Sequence, residues 1–470
     1  ETAYDLDQVY REIDGVANAA AVDALRRLAT LEDMADYHDP RICEILGPPP
    51  GRGEPYRQAA KLLQGATSKF FWDPSRGYYS EHLRYNNIAT SGHAVASAEL
   101  DSEHSASKAI DGIIGLGFDA FGVGRGAAGK HEWACAGGNV PWIQVIFDRP
   151  TVIDQVILIG RTDPSIKWDD IAREGMLTSS ENPYPEHVYF DPMRRRAEIS
   201  FTPRTASWVK FGFTGGTGIS PGLSEFIVLP ADEPYKRVTH GMTDTNFAML
   251  GFGVANDEQA AQVWHYFQDH ESAFYEYKGL HAPTWIAEDP ESYTEYELNR
   301  RAPRKDCVAM GRTWRYDALM RYRMHDGDGL YRTITYANEL YDRPSGGGPG
   351  FFAERYGLGR FQPGDESQAN VLKYSEYPAV YNSTVVQQCL LGLDVGYFGE
   401  ITIAPCVPAS WYEKGFGIER PGLLKDRDIA VTYHADKVEG WVSGKPGQQM
   451  LLITPPPKPG AEPPKPVRLT

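Results

Sequence analysis

Cysteine is scarce in this sequence. The 470 residues include only five cysteines, and none of them forms the CxxC or Cys/His spacings that bind zinc. We therefore expect no zinc site. The odd number neither requires nor excludes an oxidising compartment, and most of these thiols should be small buried apolar groups. The cysteines are Cys43, Cys135, Cys307, Cys389 and Cys406.

The sequence also lacks an excess of positive charge and long apolar runs. It has 47 lysines and arginines against 63 aspartates and glutamates, a formal net charge of -16. Proteins that bind nucleic-acid phosphates need a basic face, and anionic membrane surfaces attract basic segments. No apolar run reaches the length that spans a bilayer. We expect neither nucleic acid nor membrane among the partners.

Aromatic residues, by contrast, are abundant. They make up 12% of the chain and include 10 Trp and 27 Tyr. The apolar faces of sugar rings stack on such side chains while the hydroxyls bind nearby polar groups, although large cores use aromatic residues too. The length suggests roughly two to four domains. The composition favours a multidomain globular protein with an oligo- or polysaccharide as its partner.

The predicted secondary structure changes twice along the chain. Residues 14–29 and 55–71 have apolar positions at helical spacing. From Ile88 to Leu229, short β-branched runs alternate with Gly, Pro, Asp and Asn, which predicts an antiparallel β-sandwich. Helical texture resumes at His240. An all-β segment between two helical regions predicts an insertion whose ends lie close together.

Five stretches of the predicted insertion have a characteristic order: residues 89–97, 107–112, 132–133, 141–147 and 152–161. In order and spacing they resemble the discoidin, or coagulation-factor C-type, sandwich. In bacterial glycosidases such domains bind carbohydrate or act as spacers, so the resemblance implies a sugar-binding role or a packing role. The aromatic residues available in its predicted loops include Trp168, Tyr184 and Tyr189.

Five further stretches lie outside the insertion: residues 70–78, 240–247, 350–356, 377–392 and 401–411. Together they resemble the six-hairpin glycosidases, nearest to the α-L-rhamnosidase-like and trehalase-like branches. The resemblance implies a multidomain α+β protein: an α/α toroid with an inserted antiparallel β-sandwich and a C-terminal β-segment. The predicted domains are an N-terminal toroid segment (1–87), the discoidin-like sandwich (88–232), a second toroid segment (233–400), a C-terminal β-sandwich (401–455) and a Pro-rich tail (456–470).

Glu354 lies on a loop rich in glycine and aromatic residues, within residues 345–361. Three glycines and a Pro-Gly end the preceding helix, and a carboxylate against apolar rings suits a general base. In the family that these motifs resemble, a glutamate in this context is the base of an inverting glycoside hydrolase. The resemblance therefore implies that role for Glu354. A surface Glu-Arg pair is the alternative.

Inverting hydrolysis also needs a general acid. We expect it to be Asp14, because Gly15 could leave the carboxylate accessible where a helix begins; capping of that helix is the alternative. Asp244 is the second candidate, and by the resemblance it lines the pocket, with helix capping again the alternative. The expected substrate-binding residues are Asp244, Asn18, Trp285, Tyr356 and Tyr381. Trp314 lies on a predicted helix and is expected to be a core residue.

Fewer helices are predicted here than the toroid of this family needs. We therefore expect an upstream segment or a second chain to complete the barrel. Hydrolysis of this kind requires no cofactor, and the inserted sandwich could hold a structural calcium ion. The HDGDG turn at residues 325–329 resembles the start of a calcium loop but lacks the later ligands, so a turn is expected there.

Two other classes of function remain open. A non-catalytic carbohydrate-binding protein would keep the aromatic residues and lose the base or the acid. A polysaccharide lyase on a similar toroid would use a Tyr/His pair to abstract a proton, for which His240, His281 and Tyr381 are candidates. The acidic charge gives the lyase no support. Assays with aryl glycosides and with uronate polymers would separate these classes.

Overall fold

The structure, a computed structural model, describes the chain in segments that fall into two compact units. The first unit comprises Glu1–Asp14 and His82–Val238, and the second comprises Gly15–Glu81 and Thr239–Thr470. The chain thus leaves the second unit and returns to it, as expected of an insertion. The described residues are 12–34, 51–113, 131–135, 140–163, 173–191, 195–215, 221–239, 241–242, 244–277, 280–281, 286–287, 309–310, 313–341, 352–353, 355–356, 373–374, 381–395, 401–424, 427–443, 451–453 and 467–469.

The α-helices in these segments belong to the second unit. The Oδ1 atom of Asn256 accepts a hydrogen bond from the Gln259 N–H at 2.9 Å and thereby caps the start of α4. The helices are α1 (Gly15–Met34), α2 (Glu54–Phe71), α3 (Asp244–Gly251), α4 (Asp257–Tyr275), α5 (Thr313–Arg323), α6 (Gly327–Tyr341) and α7 (Ala409–Lys414). A π-helix spans Tyr381–Leu390, and short 3-10 helices span Ile88–Ser91, Ser102–His104 and Ala106–Ile110.

The described strands are numbered along the whole chain. Up to Val238 they are β1 (Glu12–Asp14), β2 (Trp72–Asp73), β3 (Tyr78–Tyr79), β4 (His82–Tyr85), β5 (His93–Ala96), β6 (Trp133–Ala134), β7 (Trp142–Gly160), β8 (Glu174–Ser179), β9 (Asn182–Tyr189), β10 (Arg196–Gly215), β11 (Gly222–Pro230) and β12 (Tyr235–Val238). Beyond it they are β13 (Gly241–Met242), β14 (Glu276–Tyr277), β15 (Leu280–His281), β16 (Ile286–Ala287), β17 (Ala309–Met310), β18 (Phe352–Ala353), β19 (Arg355–Tyr356), β20 (Lys373–Tyr374), β21 (Leu393–Val395), β22 (Ile401–Ile403), β23 (Phe416–Leu424), β24 (Arg427–Tyr433), β25 (Val438–Val442), β26 (Leu451–Ile453) and β27 (Val467–Leu469).

The two ends of the first unit are paired. Strand β4 pairs antiparallel with β12, so that His82 lies opposite Val238 and Tyr85 lies opposite Tyr235; β1 pairs with the other edge of β4. The start and the end of the insertion therefore lie side by side. The unit is longer than the predicted range, because β4 and β12 extend it beyond the sandwich at both ends.

The long strands β7 and β10 contribute to both layers of the sandwich. The first half of β7 (142–147) pairs with β5 and with residues 208–212 of β10, which pair in turn with β8, and β8 with β9. The second half of β7 pairs with the first half of β10 and with β11, and β11 with β6. Register shifts separate the two halves of β10, as bulges do where a strand bends. We call β5–β7–β10–β8–β9 the front layer and β10–β7–β11–β6 the back layer.

One hydrophobic cluster lies between the two layers. Val145, Phe211 and Phe213 from the front layer are in the same cluster as Val156 and Phe226 from the back layer. Each of them is at most 1% exposed. Strict alternation along half-buried strands accounts for the front-layer residues, whereas every residue of β11 in the back layer is buried. The two paired layers and the cluster between them confirm the predicted antiparallel sandwich. The cluster gives the first unit a hydrophobic core of its own.

In the second unit the described helices pack in pairs. Helix α1 packs on α2, α3 on α5, and α5 on α6 and on the π-helix. These pairings do not establish the α/α toroid that the resemblance implies, and the described helices do not support it. Helical pattern in the sequence is not always α-helix in the structure, since residues Tyr381–Leu390 form a π-helix. Trp314 is 3% exposed, as predicted for a core residue.

The C-terminal β-segment consists of two small sheets. One has the order β21–β22–β26–β27 and the other β23–β24–β25. Strand β27 lies within the predicted Pro-rich tail and pairs antiparallel with β26, so the tail is not wholly a polyproline segment. Val467–Leu469 contains no proline, which leaves its N–H groups available for pairing. The proline-rich stretch, residues 454–466, lies outside the described residues.

Candidate functional site

The outward side of the front layer carries a row of side chains that crosses four strands. The strand registers place Trp142 opposite Gly212, Gly212 opposite Met176, and Met176 opposite His187. With strands about 4.8 Å apart, the row is about 14 Å long. We call Trp142, Met176, His187, Tyr189 and Lys210 the front face.

Alternation along β9 explains why its rings point outward. Val188 and Phe190 are buried in the core cluster, so the side chains between and beside them, His187 and Tyr189, project to the other side of the layer. Tyr189 is 69% exposed. The His187 and Tyr189 rings lie 4.3 Å apart between centroids. Each ring thus limits the rotamers of the other while leaving a broad surface open to solvent.

At the other end of the row, Lys210 lies over Trp142. The Lys210 Nζ atom is 3.9 Å from the centroid of the indole ring, a cation–π contact that contributes about 0.5–1 kcal/mol at exposed sites. Both residues are half-buried. The contact holds the indole in place and puts a hydrogen-bond donor beside it.

Glu174 supplies an acceptor beside these rings. Its backbone lies opposite Tyr189, and its Oε2 atom is 3.9 Å from the His187 Nε2 atom. Between Trp142 and Met176, Gly212 has no side chain; a Cβ there would lie 3.5 Å from the Trp142 Cβ. The front face therefore combines rings, a shallow gap, a cation and a carboxylate.

A buried ion pair supports this end of the sandwich. Glu132 is 0% and Arg161 3% exposed, and the Arg161 Nε atom donates to the Glu132 Oε1 atom at 2.6 Å. The other carboxylate oxygen accepts the Thr162 N–H at 2.9 Å. Both residues belong to stretches on which the discoidin resemblance rests. Their burial makes them structural groups that fix the chain where β7 ends.

Three of the predicted site residues cannot be placed with their side chains. Glu354 and Trp285 lie outside the described residues. Tyr356 lies in β19, where its backbone pairs with Ala309, and its side chain lies outside what the structure describes. The roles of these residues in catalysis and substrate binding stay predictions.

The structure describes the side chains of the other four predicted residues. Asp14 ends β1 in the first unit, with its Oδ2 atom 3.8 Å from the His82 Nδ1 atom, while Asn18, Asp244 and Tyr381 belong to the second unit. Asp244 is 2% and Tyr381 8% exposed. Asp244 and Tyr381 are therefore buried side chains. The predicted roles of all four residues rest on the sequence alone.

Gly15 has a packing reason that differs from the predicted one. We expected it to keep the Asp14 carboxylate accessible. A Cβ at Gly15 would instead lie 2.5 Å from the Thr245 Cγ2 atom and 2.9 Å from the Glu81 carbonyl oxygen. Glycine is required at this position because the start of α1 lies too close to Thr245 and Glu81 for a side chain to fit.

Sequence reasoning missed Trp142, His187 and Lys210. Trp142 stood in a stretch that was assigned to the sandwich as a whole, and its alternation with buried Ile143 is the signal that marks it as outward-facing. Tyr184 and Tyr189 were expected in loops, and the structure places both on β9. Only the cross-strand register shows that β7 and β9 present their rings on one side.

The structure also bears on cysteines, metals and membranes. Cys135, Cys389 and Cys406 are buried, as predicted, and burial raises the pKa of the Cys406 thiol to about 12. In the segments that the structure describes, no group of three His, Cys, Asp or Glu side chains could hold a metal ion. Within those same segments no helix is long and apolar enough to cross a membrane.

Comparisons with known proteins concern about a third of the chain. Residues 87–229 match the family described as "Domain of unknown function (DUF7402)". No curated protein matches the chain.

Solved structures similar to a portion of the chain include sugar-binding modules. The lectin domain of lectinolysin complexed with Lewis B antigen is 20% identical, with a TM-score of 0.26 over 31% of this chain and 97% of that one. A Clostridium perfringens module in complex with GalNAc-β-1,3-galactose is 16% identical, with a TM-score of 0.23 over 30% and 96%. A Streptococcus pneumoniae fucose-binding module is 18% identical, with a TM-score of 0.25 over 31% and 95%. Scores this low do not by themselves establish a function.

Proposed function

We propose that the protein binds carbohydrate through the front face of its β-sandwich. The observation that carries the proposal is a row of outward-facing positions across four strands with rings at its two ends, the half-buried Trp142 at one end and His187 beside Tyr189 at the other. Aromatic rings offer flat apolar surfaces to the C–H faces of sugar rings. A row about 14 Å long provides room for more than one sugar unit.

The polar groups of the front face suit hydroxyl groups. Lys210 donates hydrogen bonds, the Glu174 carboxylate accepts them, and His187 does either through its ring nitrogens. Lys210 and Glu174 have opposite charges, so the face has no strong preference for an anion or a cation. A neutral oligosaccharide fits this combination. The sugar-bound modules similar to this chain agree with the proposal without carrying it.

Titration of the full chain with a panel of oligosaccharides tests the proposal. We expect Tyr189→Ala and Trp142→Ala each to weaken binding on the order of tenfold or more, because each removes a stacking surface. Tyr184→Ala is the matched control: Tyr184 is 80% exposed on the same strand but lies outside the row. It should leave affinity unchanged. Equal losses in all three variants, or no binding by the wild-type chain, would overturn the proposal.

A further inference from the structure

A groove in the second unit lies beside the end of α4, α6 and β15. It has a volume of about 470 Å³ and is lined by polar and aromatic side chains, among them Glu271, Tyr275, His281, Arg332 and Tyr336. This volume is within the range of sites that bind small molecules. The groove shares no residue with the front face, and only His281 among its lining residues was singled out from the sequence.

Glu271 forms the charged floor of the groove. Its Oε1 atom accepts hydrogen bonds from Arg321 Nη2 at 2.6 Å and from Arg332 Nη2 at 2.5 Å. Burial alone would raise the pKa of Glu271, but the two guanidinium groups hold it below its ordinary value. The carboxylate is therefore ionised at neutral pH. Within the described segments of the chain, its Oε2 atom has no hydrogen-bond partner.

Arg321 fixes this floor from inside the unit. The guanidinium is fully buried and donates to Asp317 at 3.0 Å, to the Tyr275 hydroxyl at 3.3 Å and to Asp326. Breaking this network is costly, since loss of Arg321 would leave the fully buried Asp317 as an uncompensated charge. Glu271 and Tyr275 are thus held in one arrangement before any ligand arrives, which lowers the entropic cost of binding.

The wall of the groove is a stacked pair of rings. His281 stacks on Tyr336 with centroids 4.3 Å apart, and its side chain is 52% exposed while the Nδ1 atom lies 3.3 Å from Glu339 Oε2. Its Nε2 atom has no partner among the described residues, and neither do the Nε and Nη1 atoms of Arg332. The side chains that line the groove therefore include an exposed imidazole, and among the described residues two nitrogen donors of Arg332 and one carboxylate oxygen of Glu271 are without hydrogen-bond partners.

We propose that this groove binds one ring of a neutral sugar, at a site separate from the sandwich. Arg332 is offset by Glu271 and Glu339, so the groove has no excess of positive charge to hold an anion. Hydroxyl groups both donate and accept, and here they meet the Arg332 donors and the Glu271 acceptor. The imidazole provides an apolar surface for the C–H face of the ring.

Hydrogen–deuterium exchange of the full chain, with and without a panel of neutral methyl pyranosides, tests this site. We expect slower exchange in peptides that cover residues 271–275 and 331–336. Arg332→Gln and His281→Ala should each abolish this protection. His265→Ala is the matched control, because His265 is 79% exposed on α4 and does not line the groove; protection should persist.

The same measurement separates this site from the proposed function. Protection of residues 174–189 reports on the front face, and Tyr189→Ala should remove it without affecting the groove peptides. Protection confined to residues 174–189 would overturn the groove proposal and leave the proposed function intact. Protection in neither region would also overturn the groove proposal. Protection of the groove by glucuronate alone would also overturn it, since the site would then select an anion.

Discussion

Trp142 and Tyr189 acquire their roles from position rather than from residue type. Trp133, in the same sandwich, is fully buried and donates its indole N–H to the Ala98 carbonyl at 3.0 Å, whereas Trp142 faces outward beneath Lys210. Amino-acid composition alone does not distinguish the buried tryptophan from the outward-facing one. Trp142 faces outward because it alternates with the buried Ile143 along β7, whereas both residues of β6, Trp133 and Ala134, are buried.

Glu354 is the residue on which the proposal of glycoside hydrolysis rests, and that proposal comes from sequence alone. If Glu354 is the general base, Glu354→Gln should lower the rate of hydrolysis of a cleaved glycoside on the order of 100-fold or more. The measurement is the release of reducing sugar under identical conditions. Glu258→Gln, at an exposed position in the first turn of α4, is the control and should act as wild type. A Glu354→Gln variant as active as the wild type would contradict the assignment.

The turn between α5 and α6 shows how one element can hold a strained residue. His325 has φ +57°, in the left-handed region that non-glycine residues seldom adopt and in which asparagine, aspartate and histidine are enriched. The turn persists because Asp326 caps it: its Oδ1 atom accepts the Gly329 N–H at 3.0 Å, and its other oxygen binds buried Arg321. The predicted turn over residues 325–329 is shorter in the structure, because α6 already begins at Gly327, and the carboxylate of Asp326 binds both this helix start and a buried arginine.

This turn should make the stability of the second unit depend on pH. Burial lowers the pKa of His325 below its ordinary value of 6.5. The unfolded chain then binds the proton more readily, so stability is complete above about pH 6.5 and falls as pH falls below it. His325→Asn removes the titrating group and tolerates positive φ.

We expect the melting temperature of the His325→Asn variant to change less than that of the wild type between about pH 6.5 and pH 5. His265→Asn, which alters a side chain that is 79% exposed, should keep the wild-type slope. Thermal melts at a series of pH values measure both. Identical slopes for the wild type and His325→Asn would show that the His325 imidazole contributes nothing to this dependence.

At the scale of the whole molecule, the first unit has what an independent domain requires. It has its own hydrophobic cluster between two layers, and the antiparallel pair of β4 and β12 closes its ends. Adjacent ends are what allow one domain to be inserted into another without disrupting either. We therefore expect residues 82–238 to fold alone, unfold in one cooperative transition, and bind the sugar with the affinity of the full chain.

A shorter fragment, residues 88–229, is the control for this prediction. It keeps the cluster between the layers and lacks β4 and β12, so it should fold with a lower melting temperature. Calorimetry of the two fragments makes the comparison. An unfolded 82–238 fragment would show that the sandwich depends on the rest of the chain.

The sequence indicated the main elements wherever a local pattern was strong. The helical periodicity before residue 71, the β-branched runs from Ile88 and the Asn256 cap all correspond to structure, because period, propensity and capping are local properties. The π-helix and β27 were not predicted. A π-helix differs from an α-helix only in its hydrogen bonding, and a three-residue strand leaves too short a pattern.

The candidate sites were less predictable than the elements. By itself the sequence determined that the chain is acidic and aromatic-rich and that an all-β segment interrupts a helical one, since these follow from composition and local order. Only the tertiary structure decided which rings share a surface. Trp142 and His187 lie 45 positions apart in the sequence, and Glu271 meets Arg332 across 61. Such pairs meet through strand register and helix packing, which depend on contacts between distant segments and leave no mark on either segment alone.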